Sequence, residues 1–120
     1  MPHLIVEYSS NLEGFPAAHL LDALNATVIA SGQVLNETDL KSRTVRTEQF
    51  VIGNDPTASR GFVHAELRLL AGRTPEVKRD LSDRIAAVLR EQTPHPAGML
   101  VQLSVDIVDM DKGAYYKGAL

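Results

Sequence analysis

Apolar and polar residues alternate along several segments of this 120-residue chain. An alternation with a period of two is typical of a β-strand that buries one face and exposes the other. The pattern predicts strands over residues 3–8, 40–52, 61–70 and 99–109. It is clearest in the last two segments, where the apolar positions are Val63, Ala65, Leu67 and Leu69, and then Val101, Leu103, Val105 and Ile107.

Two segments between these strands instead carry apolar residues at spacings of three and four. Such spacings place the apolar residues on one face of a helix, so helices are predicted over 15–30 and 75–92. Thr74, Pro75 and Glu76 form a favourable helix start, with a capping hydroxyl, a proline and an acid in the first turn. The two apolar stripes consist of Ala17, Leu20, Leu21, Leu24 and Val28, and of Val77, Leu81, Ile85, Val88 and Leu89.

The order strand, helix, strand therefore occurs twice, with a turn-rich link over 53–59. We predict one α/β (α+β) domain over 1–120, made of a first half at 1–58 and a second half at 59–120 with a C-terminal tail. A β-α-β unit pairs its strands in parallel, and two units give a four-stranded sheet with two helices on one face. The other face must meet water or another subunit, so self-association is expected. The apolar tail over 111–120 is expected to dock on a neighbour or to cover a site.

Composition and charge narrow the functional class. The net charge of −3 and the lack of a basic run argue against a nucleic-acid surface. The absence of cysteine excludes thiolate catalysis and disulfides, and no apolar run or leader pattern predicts a membrane segment. These features favour a cytoplasmic protein. The four histidines lack metal-type spacing, so a metal site is not expected: His3, His19, His64 and His95.

Pro2 is the first candidate for chemistry. Removal of Met1 would leave Pro2 with a free secondary amine at the start of the first strand. Free α-amino groups have a pKa near ~8, and we expect burial or a nearby cation to lower the pKa of this amine toward neutrality. Such an amine can act as a general base. The alternative is that Pro2 merely permits removal of Met1 and stiffens the terminus.

Cationic residues are the second candidates. Lys41 and Arg43 are two positions apart, so they lie on the same face of the second strand, where they either protect an edge or bind a carboxylate. Arg73 lies where the third strand passes into a helix N-terminus, a favourable place for an anion. The corresponding place in the first half has no arginine. The repeat is therefore asymmetric at the two positions suited to chemistry, Pro2 and Arg73.

Four stretches of the sequence carry a family resemblance: Pro2 to Ser9, Leu40 to Arg43, Phe62-Val63-His64 and Gly72-Arg73. They resemble the 5-carboxymethyl-2-hydroxymuconate isomerase family of the tautomerase superfamily. The resemblance implies a duplicated β-α-β subunit, a homotrimer and a cofactor-free isomerase. Its substrate would be a small unsaturated 2-hydroxy or 2-oxo dicarboxylic acid. It also implies that Pro2 relays a proton as general base and acid, and that Arg73 binds a carboxylate.

In the same resemblance the family's second arginine falls on Lys41, with Arg43 beside it. Lysine cannot form the bidentate fork of arginine, so either Lys41 binds the substrate or Arg43 replaces it. Two other functions stay open at this point. One is decarboxylation, hydration or dehalogenation of a small unsaturated acid by the same residues, and the other is a trimeric binding module without catalysis.

Overall fold

The computed structural model describes residues 2–120, so the predicted removal of Met1 concerns a residue outside the described part. Two helices, a short 3₁₀ helix and four strands follow one another in the order that the sequence predicts, with the 3₁₀ helix as an addition. They are β1 (His3–Ser9), α1 (Ala17–Ala30), the 3₁₀ helix (Glu37–Asp39), β2 (Lys41–Thr47), β3 (Arg60–Leu70), α2 (Pro75–Gln92) and β4 (Leu100–Met110).

The four strands form one sheet in the order β2-β1-β3-β4. β1 and β2 are parallel, as are β3 and β4, whereas the central pair β1 and β3 is antiparallel. Each helix connects a parallel pair, which confirms the predicted fold of two β-α-β units. The predicted division between residues 58 and 59 falls in the connection between β2 and β3.

The core lies between the helices and one face of the sheet. Alternate residues of the two central strands are fully buried there, and the apolar stripes of both helices pack against them. The helices thus cover one face of the sheet, as predicted. The fully buried side chains include Leu4 and Val6 of β1, Val63 and Leu67 of β3, Leu20 and Leu24 of α1, and Leu81 and Ile85 of α2.

Two predicted boundaries were wrong by two residues or more, and the other ends agree to within one residue. The second strand ends at Thr47 and not at residue 52, because Thr47 pairs with Ser9, where β1 also ends. Beyond this point no neighbouring strand offers hydrogen bonds, and Phe50 packs edge-on against Phe62, with 5.9 Å between the ring centroids. Helix α1 begins at residue 17 and not at residue 15, because the residue before Pro16 is kept from the helical conformation.

The tail over 111–120 folds back on its own chain. The Tyr115 hydroxyl lies 2.8 Å from His3 Nε2, and Lys117 forms an ion pair with Asp39. These contacts bring the tail to the edge of the sheet where β1 begins. None of the helices in residues 2–120 is both long and apolar enough to cross a membrane.

Candidate active site

Pro2 lies at the start of β1 and is buried. Its carbonyl accepts a hydrogen bond of 3.1 Å from the backbone N–H of Lys41, at the start of the parallel strand β2. The parallel pairing of β1 and β2 therefore fixes the position of Pro2 at one edge of the sheet. Alternation along β1 turns the Pro2 ring toward the helix-covered face, as it does for Leu4.

A cavity of about 140 Å³ opens beside Pro2. It forms where the connection from α1 to β2 meets the end of β3, since antiparallel pairing brings the end of β3 to the start of β1. Its wall is mostly apolar, with two charged side chains, Asp39 and Arg73. The lining residues are Pro2, Gln33, Val34, Leu35, Asp39, Leu69, Leu70 and Arg73.

The Arg73 guanidinium is held by backbone carbonyls on both sides of this cavity. Nη1 donates to the Leu70 carbonyl at 2.9 Å and Nη2 donates to the Gln33 carbonyl at 3.0 Å. Its Nε is buried and makes no hydrogen bond to residues 2–120. A guanidinium carries five N–H donors, so Arg73 keeps donors for a further acceptor while its orientation is fixed. This arrangement suits recognition of a carboxylate.

Lys41 and Arg43 lie on the opposite face of the sheet. Ser42, between them, bonds to Asn25 of α1 and so marks the helix-covered face. Neither cation lines the cavity. The Lys41 ammonium nevertheless reaches the backbone carbonyl of Asp39 at 3.0 Å, whereas Arg43 donates to His3 Nδ1 at 3.3 Å. Lys41 is therefore adjacent to the cavity wall, and Arg43 is engaged elsewhere.

Asp39 adds a negative charge to the cavity wall. Its Oδ1 lies 2.7 Å from Lys117 Nζ, and its side chain is only 14% exposed. The hydrogen bond from Lys117 is the largest cause that lowers the pKa of Asp39, so the carboxylate is ionised at neutral pH. The charged groups at or next to the cavity thus include Asp39, Arg73, Lys41 and Lys117, and Lys112 lies close to Gly72 beside Arg73.

A larger depression of about 570 Å³ lies at the other end of the sheet. The connection between β2 and β3 forms its wall, and Arg60 is the cation that lines it. Nη1 of Arg60 already donates to the Ile52 carbonyl at 2.9 Å. This depression is larger than the cavity beside Pro2. The smaller cavity is nevertheless the better candidate for the active site, because Pro2 and Arg73 line it. Within residues 2–120 no cluster of three His, Asp or Glu could hold a metal ion.

A family model for 5-carboxymethyl-2-hydroxymuconate isomerase matches residues 2–119 of the sequence. The chain belongs to this family. That membership confirms the predicted resemblance, and it makes the protein an isomerase of the tautomerase type. The search of curated proteins found no significant sequence match.

Several solved structures share the fold. A 5-carboxymethyl-2-hydroxymuconate isomerase from Deinococcus radiodurans R1 superposes with a TM-score of 0.88 at 27% identity, over 99% of this chain and 90% of that one. A 5-carboxymethyl-2-hydroxymuconate delta-isomerase gives a TM-score of 0.83 at 21% identity, over 100% and 88% of the two chains. A fused 4-OT described as a symmetric trimer gives 0.69 at 18% identity, over 97% and 91%.

The sequence indicated Pro2 and Arg73 as candidates, and the structure brings both to one cavity, but several other residues at the cavity of this isomerase were missed. Asp39 could not be recognised as a cavity residue from the sequence, because it lies in a short 3₁₀ helix that the sequence patterns did not predict. Lys117 lies in the tail, whose role as a cover was among the expectations. The apolar wall formed by Val34 and Leu35 follows α1, beyond the periodic pattern.

Proposed function

We propose that this isomerase converts a small unsaturated 2-hydroxy acid that carries more than one carboxylate, of the 5-carboxymethyl-2-hydroxymuconate type. Muconate is a diacid, and the carboxymethyl substituent adds a further carboxylate. The observation that carries the proposal is that Pro2 and Arg73 line one cavity of about 140 Å³. A base and a carboxylate-binding group side by side are what this reaction needs.

In the proposed reaction, Pro2 acts as the proton carrier. Its uncharged amine removes the proton from the hydroxyl at C2 of the dienol, and C2 becomes a carbonyl as the conjugated double bonds shift. The protonated amine then returns a proton to a carbon of the chain. Atoms and charge balance without an oxidant, a reductant or a cofactor. Burial of Pro2 and the positive charge of Arg73 both favour the uncharged amine that starts this sequence, and the opposing charge of Asp39 is offset by its ion pair with Lys117.

Arg73 would bind the carboxylate conjugated to the dienol. Its two backbone bonds fix the plane of the guanidinium, so little orientation is lost on binding. Negative charge that develops along the conjugated chain would be stabilised by this fixed cation. For the second cation, the geometry supports Lys41 over Arg43, because the Lys41 ammonium lies next to the cavity wall.

We also propose a homotrimer. One face of the sheet is left without helices, and a structural relative is described as a symmetric trimer. Light scattering of the purified protein tests this, with three times the mass of one chain as the expected result and the mass of one chain as the result against it. The predicted cytoplasmic location and the absence of nucleic-acid binding stay predictions.

The test of the reaction is the loss of dienol ultraviolet absorbance with 2-hydroxymuconate and its 5-carboxymethyl derivative. Mass measurement of the intact protein should first show that Met1 is absent. A chain that keeps Met1 should have kcat at least about 100-fold lower, the range expected for loss of a general base, because its Pro2 nitrogen is an amide. Pro2→Ala replaces the secondary amine of the ring by a free primary amine and should lower kcat by a smaller factor. Full activity of Pro2→Ala, or turnover by a chain that retains Met1, would overturn the mechanism.

A further inference from the structure

The backbone at Asp39 holds this residue in the cavity wall. The 3₁₀ helix that holds Asp39 is capped by the Asn36 side chain, which accepts from the backbone N–H of Thr38 at 3.0 Å. The backbone carbonyl of Asp39 receives the Lys41 ammonium, and the side chain is 14% exposed. A substrate that enters the cavity must therefore approach a fixed negative charge.

This charge opposes the proposed chemistry. A carboxylate in the wall repels each carboxylate of a substrate, and the repulsion grows with the number of carboxylates that the substrate carries. Arg73 provides one positive charge in the cavity and Lys41 a second one beside its wall, and an unpaired Asp39 would cancel one of the two. A cavity in which Asp39 stays unpaired would thus favour ligands with fewer carboxylates than a cavity in which Asp39 is neutralised.

Lys117 changes this balance from outside the cavity. Its ammonium lies 2.7 Å from Asp39 Oδ1 and is not part of the cavity wall. The tail that carries it is held by the hydrogen bond of 2.8 Å between Tyr115 and His3. The C-terminal tail therefore places the positive charge of Lys117 next to Asp39, the carboxylate in the cavity wall.

We propose that Lys117 is a positioning residue that determines substrate charge: it holds and neutralises Asp39, so that the cavity accepts substrates with several carboxylates. The inference rests on the proposed function, since it assumes that the substrate binds in the cavity beside Pro2. It goes further in assigning specificity to a residue of the tail. A residue that only held the tail in place would affect all ligands alike, irrespective of their charge.

Binding of unreactive acids tests the proposal without any need for turnover. Muconate is a diacid and sorbate a monoacid with a similar conjugated chain, and neither carries the hydroxyl that the reaction requires. In calorimetric titrations, Lys117→Met should raise the Kd of muconate about tenfold and that of sorbate by less than about threefold. Lys117→Arg should keep the binding of the intact protein.

A second variant separates charge from structure. In Lys117→Met/Asp39→Asn the repelling carboxylate is absent, so muconate binding should return to within about threefold of the starting value. Arg46→Met is the control, because Arg46 forms an ion pair with Glu48 at 3.2 Å at the end of β2 that is remote from Pro2. It removes the same charge from the protein and should leave both Kd values unchanged.

Steady-state kinetics should show the same difference between diacid and monoacid substrates. With 2-hydroxymuconate, Lys117→Met should raise KM about tenfold and leave kcat within about twofold, while 2-hydroxy-2,4-pentadienoate, a monoacid dienol, should show little change in either. An equal loss for diacid and monoacid, or no rescue by Asp39→Asn, would overturn the inference. Inactivity of the intact enzyme toward both dienols, with the muconate and sorbate results as expected, would count against the proposed function alone.

Discussion

Arg43 Nη1 lies 3.3 Å from His3 Nδ1, across the parallel strands β1 and β2. A guanidinium can only donate hydrogen bonds, so Nδ1 of His3 accepts and carries no proton. The remaining ring proton is then on Nε2, which donates to the Tyr115 hydroxyl at 2.8 Å. The contact with Arg43 therefore selects the neutral tautomer of His3 that anchors the C-terminal tail.

The charge state of His3 leads to a pH dependence of stability. Burial is the largest cause that lowers the pKa of His3 below 6.5, followed by the positive charge of Arg43. In the unfolded chain the imidazole takes up a proton at a higher pH than in the folded one. The stabilising contribution is thus fully present above pH 6.5 and is lost as the pH falls through the folded pKa.

We expect the free energy of unfolding to fall more between pH 8 and pH 5 in the intact protein than in His3→Gln, which does not titrate. Urea unfolding at both pH values measures the difference. Equal losses in the two proteins would show that His3 does not account for the acid sensitivity. Titration of His3 by NMR provides the independent check of its pKa.

Arg73→Lys should impair the isomerase although the charge is retained. Lysine has no planar fork, so it cannot reach the carbonyls of Leu70 and Gln33 together and still offer a donor to a carboxylate. We expect KM for a diacid dienol to rise at least about tenfold, with kcat less affected. Arg84→Lys serves as the control, since Arg84 pairs with Asp80 on the surface of α2. Wild-type kinetics in Arg73→Lys would contradict the assigned role.

Two identical substitutions should differ sharply in their effect on stability. Leu24 of α1 is 0% exposed in the core, whereas Leu35 is 100% exposed. Leu24→Ala should lower the free energy of unfolding by about 2–5 kcal/mol, because it removes buried apolar surface and leaves a cavity. Leu35→Ala should change it by less than about 0.5 kcal/mol. Chemical denaturation compares the two, and similar losses would contradict the described core.

Thr74 caps the helix that follows Arg73. Its hydroxyl accepts from the backbone N–H of Val77 at 3.2 Å, and Pro75 occupies the first position of α2. Thr74→Ala should reduce the free energy of unfolding by about 1 kcal/mol, while Thr74→Ser should retain most of it. Thermal unfolding distinguishes the two variants. A Thr74→Ser protein as unstable as Thr74→Ala would argue against the cap.

The fold was largely predictable because its strands and helices are regular. Alternation identified β3 and β4, and the apolar stripes identified both helices, since each of these elements buries one face on the same core. The end of β2 was not predictable from its own residues. It depends on where its partner β1 ends, so apolar Val51 falls outside the strand and is 87% exposed.

The candidate site was predictable only in part, for a related reason. Pro2 and Arg73 stand at the ends of regular elements, and strand pairing dictates that these ends meet. The pair of Asp39 and Lys117 joins a short 3₁₀ helix to the tail, two segments without a periodic pattern. Their contact is set by how the tail folds over the sheet edge, which local sequence patterns do not encode.

The two chain ends differ in what they can tolerate in a recombinant product. Pro2 is buried and tied to Lys41, whereas Leu120 projects fully into solvent. Under the proposed mechanism, an affinity tag fused ahead of Pro2 would turn its nitrogen into an amide and leave a folded but inert protein. A tag joined after Leu120 avoids this, and every assay of the enzyme should start from material made in that way.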